Sequence, residues 1–196
     1  MGLKTLLPFH PGATWTYRVT SATGTAMKIT TVGAEELVGG TGPNAQKRAF
    51  KVTTTKGASD KTVSWQALEG GSVIRYREVS YAATTGQAEL EEHWVPGKLH
   101  VHNDAMYRAM GKKWMETYQE TKAMVGMPVV TGSVMDHWSV DAAKVPVTVP
   151  AGAFEAVVLI KSTATGSKTY WYVPGVGKVK ETGGQTEELV SFDVDP

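Results

Sequence analysis

Cysteine is missing from all 196 positions. Its absence removes disulfides, thiol nucleophiles and thiolate metal sites together. Neither sign of charge predominates, with 20 Lys and Arg against 19 Asp and Glu. Like charges run no further than short local groups, so the clustered basic face that displaces counterions from nucleic acid is lacking. No apolar run approaches the roughly 20 residues of a membrane-spanning helix. The longest, AFEAVVLI at 153–160, is strand-sized and contains Glu155. The N-terminal MGLKTLLPF has no apolar core followed by a small-residue cleavage site, and Leu6 stands where myristoylation requires Ser or Thr. Catalytic signatures are missing too. There is no G-x-S-x-G elbow and no H-E-x-x-H, and GGTGPNAQ lacks the Lys-Ser/Thr pair of a phosphate-binding loop.

What is present repeats every second residue. In ATWTYRVT (13–20), Trp15, Tyr17 and Val19 share one face while Thr14, Thr16 and Arg18 share the other. KITTV, RAFKVTTT, TVSWQAL and SVIRYREVSY continue the pattern, and turn signals such as GGTGPN, KGASD, TTGQ and TGG separate the runs. About a dozen strands without βα alternation predict an all-β protein. We expect one large curved antiparallel sheet, a half-barrel or barrel, forming a single domain over 1–196. Strand should exceed about 45% and helix stay below about 15%. A short helix capped by Asn103 or Asp104 and ended by Gly111 should precede a strand from Lys113. A second turn or short helix is expected over PAGAFEA, 150–156.

Three groups of side chains are candidate sites. In KTYWYVPGVGKVKE (168–181), Pro174-Gly175 predicts a type II turn, with Tyr170 and Tyr172 on one strand face and Trp171 on the other. The tyrosines, with Trp171 beside them, form a candidate ligand platform. Trp171 and Trp15 are expected to be mainly buried. In ELEEHWVPGKLHVH, a symmetric corner at Pro96-Gly97 would pair His93 with His100 and Glu91 with His102. Three imidazoles and a carboxylate on one face would suit zinc or copper. Against this, Pro-Gly fits a two-residue hairpin poorly, and a one-residue bulge would break the register. The carboxylates of Asp136, Asp141, Glu116, Glu120, Glu187 and Glu188 are expected to be solvated. The methionines at 106, 110, 115, 124 and 127 are expected to form a deformable patch of core, with an apolar groove as the alternative.

PGATWTY (11–17), VPAGAFEAV (149–157) and TYWYVPGVGKVKE (169–181), in that order, resemble motifs of a set of exported bacterial proteins, many of them lipoproteins of unassigned function. The resemblance covers the first strand and the last third of the chain. It implies a curved antiparallel architecture and a place in the periplasm or cell envelope. It implies no catalytic residues, no cofactor, and membrane association only through a lipid anchor that this sequence does not contain. The expected role is therefore non-enzymatic: a binding or structural protein holding an apolar or lipid-like ligand in the sheet's concavity. The alternatives are a metal-binding protein using the histidine hairpin and a carbohydrate-binding module using exposed Trp and Tyr.

Overall fold

A computed structural model describes residues 4–195. Twelve strands, 69% of the structure, close into one antiparallel barrel. They are β1 (Thr14–Ser21), β2 (Gly24–Leu37), β3 (Arg48–Lys56), β4 (Asp60–Glu69), β5 (Ser72–Tyr81), β6 (Ala88–His102), β7 (Lys113–Met124), β8 (Val130–Val149), β9 (Gly152–Thr163), β10 (Gly166–Val173), β11 (Gly177–Thr182) and β12 (Thr186–Asp193). Each strand pairs with its neighbours in sequence, and β1 closes on β12. Closure gives every strand a neighbour on both sides, which answers the hazard of a long open sheet.

The period-two pattern sorts side chains cleanly. On β7, Trp114, Glu116, Tyr118 and Glu120 turn inward while Lys113, Met115, Thr117 and Gln119 are exposed. The segment before it holds a single 3-10 turn, Ala105–Arg108, in place of the expected helix. At 150–156 only a tight turn forms. β9 begins at Gly152 and takes Phe154 into the sheet, because the β-branched and apolar run that follows already extends the strand.

Alternating turns define two rims. One rim carries the β2–β3 loop and the β10–β11 turn, and the N-terminal segment closes it. Leu6, Leu7 and Phe9 are buried there, Phe9 packs edge-on against Phe50, and Asn103 Oδ1 accepts the Leu7 N–H at 2.9 Å. The Pro174-Gly175 turn forms as expected. Val176 N–H donates to Val173 O, and Gly175 has φ +82°. At Gly177 (φ +111°) a Cβ would lie 2.7 Å from Trp15 Nε1. That space lets the indole donate to Val176 O at 2.6 Å, with Trp15 only 3% exposed.

A second apolar cluster lies outside the barrel wall. Val63, Trp65 and Ala67 alternate with the inward Ser64 and Gln66 and pack with Val38, Ala49, Tyr76 and Val79 beneath the β2–β3 loop.

Candidate binding cavity

The barrel encloses a cavity of about 630 Å³, within the range of small-molecule sites. Leu7, Phe9 and Trp15 lie toward the closed rim. Its mouth lies at the β9–β10 and β11–β12 turns, beside Thr165, Ser167, Gly183 and Gly184. Between them the lining is mixed. One side is aromatic, with Trp138 stacked on Tyr170 at 5.8 Å and Tyr172 next to Tyr170 at 6.3 Å; Trp114, itself outside the lining, stacks on Trp138 at 5.9 Å. Tyr170 and Tyr172 thus share a face, as their spacing predicts, and that face lines the cavity. Trp171 is buried less completely than Trp15 and packs part-buried against the core. It lies on the opposite, outer face, half-buried, with the Lys180 ammonium 5.8 Å from its ring.

The rest of the lining is charged. Lys28 and Lys178 hold Glu187 at 2.5 and 2.7 Å, and Lys178 and Lys168 hold Glu181. Burial works to raise the Glu181 carboxyl, but Lys178 and Lys168 outweigh it and hold it at about 2. Glu187 is held low against burial in the same way by Lys178 and Lys28. Lys28 is pushed down to about 8 by burial and by the neighbouring Lys178. Glu187 and Asp136, each 2% exposed, therefore correct the reading of those carboxylates as solvated. Asp136 holds Lys161 at 2.6 Å and accepts the Tyr118 hydroxyl at 2.9 Å.

Across the cavity, donors outnumber the acceptors that face them. Lys98 Nζ is 3.7 Å from Glu120, beyond hydrogen-bond distance. Arg75 donates through one terminal nitrogen to Glu78 at 2.6 Å, while its Nε has no partner. Trp138 Nε1 has none either, although Trp138 is 4% exposed. Asp136 Oδ1 is also unpaired, but Asp136 does not line the cavity. Burial, then Arg75 and Lys161, lower the Lys98 ammonium. His100 is held well below its ordinary range by burial and by the surrounding Arg75, Lys178, Lys28 and Lys161. Gln66 Nε2 donates to Ser64, so its Oε1 is left to accept from His100 Nδ1 at 2.7 Å. His100 is therefore a neutral imidazole with a bare Nε2.

The histidine hairpin does not form. β6 runs unbroken through Pro96-Gly97. His93 pairs with Arg77 and Lys98 with Arg75, so four β6 residues oppose Tyr76 alone in a wide bulge. Pro96 needs no donor there, and Asn44 Nδ2 satisfies the freed carbonyls of Trp94 and Pro96 at 2.8 and 3.0 Å. A further bulge at His100 separates the Leu99–Ile74 and Val101–Val73 pairs. The consequence is dispersal. Glu91 and His93 lie outside under the β2–β3 loop, 2.9 Å from each other and against Arg77 and Gly42. His100 lines the cavity, and His102 bonds Ser72 and stacks on Tyr107. Among the described residues no three His, Asp or Glu side chains come together as metal ligands.

Lys28, Arg75, Lys98, Lys161 and Lys178 were not singled out by the sequence. The available signal was a basic residue on the same parity as core aromatics, as Lys98 is with Trp94. No helix among the described residues is long and apolar enough to cross a membrane. The outward face also carries Arg18, Lys61, Asp141 and Glu155, all exposed, which interrupts any continuous lipid-facing band.

No family model matches the sequence, and no curated protein matches it. Among solved structures, a Bacteroides fragilis protein provisionally described as exported, with a YMCC-like fold, is similar at a TM-score of 0.51 and 14% identity. The match covers 97% of this chain and 99% of that one, so the likeness extends over the whole barrel and shows a common fold.

Proposed function

We propose that this protein is a non-enzymatic carrier or receptor of the cell envelope that holds an amphiphilic anion inside the barrel. The observation that carries the reading is a pair of donors without a partner, Arg75 Nε and Trp138 Nε1, lining one cavity with a row of aromatic rings and with Lys98, whose Nζ reaches Glu120 only at 3.7 Å. A buried donor left without an acceptor costs roughly 1–3 kcal/mol, more when charged. A carboxylate, sulfate or phosphate oxygen in the cavity removes that cost. The rings Trp138, Tyr170 and Tyr172 supply the surface for the ligand's apolar or planar body. A wholly apolar ligand would leave Arg75 Nε and Trp138 Nε1 unmet and Lys98 with only its long contact to Glu120, so the lipid-like occupant expected from the sequence requires an acidic head. The envelope setting is supported by the resemblance of the motifs to exported proteins and by the fold shared with one described as exported.

A second reading keeps the same anion chemistry and makes the body a sugar ring stacked on Tyr170. Both are tested by extracting protein purified without detergent and weighing the released molecules by mass spectrometry. We expect an acidic species, depleted from the Lys98→Met variant; an acidic lipid favours the first reading and an acidic sugar the second. Bound molecules that are neutral, or unchanged in the variant, would overturn both.

A further inference from the structure

The β7–β8 hairpin ends in an apolar finger, and we infer that this finger inserts into the surface of a neutral phospholipid bilayer. Met124, Val125, Met127, Val129 and Val130 are 51 to 74% exposed, around Pro128. Positions 123–135 contain no charged residue. These methionines correct the expectation of a core patch: Met106, Met110 and Met115 are exposed as well.

Three observations favour lipid over a protein groove. First, both faces of the ribbon are apolar and open. Val129 and Val130 are adjacent, and each is 64% exposed. A groove covers one face of a ribbon, whereas acyl chains surround it. Second, the finger overhangs its neighbour on the β8 side, while its β7 side stays paired to β6 as far as Met124. β9 pairs with β8 only from His137 onward, so β8 from Val130 overhangs the β9–β10 turn by roughly 20 Å. Third, the charge at its base is already balanced. Lys122 is tied to Glu92 and Glu120 at 3.2 and 3.1 Å, leaving no basic patch to demand anionic lipid.

The up-and-down topology puts this hairpin on the rim that carries the cavity mouth. A bilayer holding the finger would therefore meet the open end of the barrel. This places ligand exchange between cavity and membrane, and only that consequence rests on the proposed function.

The absence of cysteine allows a clean test. Met127→Cys, labelled with an environment-sensitive nitrobenzoxadiazole dye, is mixed with phosphatidylcholine vesicles. Lys113→Cys, at the far end of β7, is the control. We expect a blue shift and several-fold brightening at 127 and no change at 113. A Val125→Asp, Val129→Asp background should weaken vesicle binding on the order of tenfold or more, with unfolding by urea and affinity for naphthalene-2-sulfonate unchanged. No response to pure lipid, or a response only to membranes retaining their proteins, would overturn the inference. Vesicle binding without any cavity ligand would sink the proposed function and leave the finger standing.

Discussion

At the residue scale, two tryptophans separate burial from appearance. Trp15 and Trp171 both sit in aromatic runs of alternating strands, and the sequence assigns both to the core. Only Trp15 has a glycine-made space and a carbonyl acceptor inside the barrel. Trp15→Ala should cost roughly 3–5 kcal/mol by urea unfolding, while Trp171→Ala should cost about 1 kcal/mol. Equal losses would contradict the inside–outside assignment. Parity was legible in the sequence here: Tyr170 and Tyr172 were placed together correctly. The sign of the face was not, because a barrel with a polar, charged lumen does not reserve its inside for the most apolar face. For the same reason Asp136 and Glu187 read as solvated, although both are held inside by lysines from other strands.

At the element scale, local turn chemistry was legible where it acted alone. Val-Pro-Gly-Val formed its turn, and Lys113 opened a strand. It failed where a distant residue intervened. Pro96-Gly97 reads as a corner, yet Asn44, fifty positions away, replaces the missing ladder partner and keeps β6 running. The charged network across β2, β11 and β12 is likewise non-local, and it fixes an acid limit. Glu181 is held at about 2 and Glu187 is also lowered, against an ordinary value of 4.5. Their stabilisation is complete above about pH 4.5 and is lost as pH falls toward 2. Lys178→Met leaves two buried carboxylates with fewer partners and should cost roughly 3–5 kcal/mol at pH 7. That deficit should shrink as the pH is lowered through the same window, as measured by urea midpoints. A deficit independent of pH would show that packing, not charge, holds this wall.

At the scale of the whole molecule, the all-β class, the single sheet and the twelve strands were legible from period and punctuation. Closure was not distinguishable from a half-barrel, since it depends on β1 meeting β12 across the entire chain. The proposed site needs closure, because its donors come from β5, β6 and β8 and its rings from β1, β8 and β10. The central claim is that this lumen selects a negative charge on an aromatic or aliphatic body. Calorimetric titration with naphthalene-2-sulfonate and its neutral twin, naphthalene-2-sulfonamide, addresses it directly. A charge-assisted hydrogen bond contributes about 1.5–3 kcal/mol, which corresponds to roughly 10- to 100-fold in affinity. The account predicts that the sulfonate binds more tightly by that factor and that Lys98→Met removes the advantage. It also predicts that the advantage fades as pH rises through the lowered Lys98 titration, before the 10.5 of an ordinary lysine. Equal binding of the two compounds, or a sulfonate preference unchanged in Lys98→Met, would contradict it.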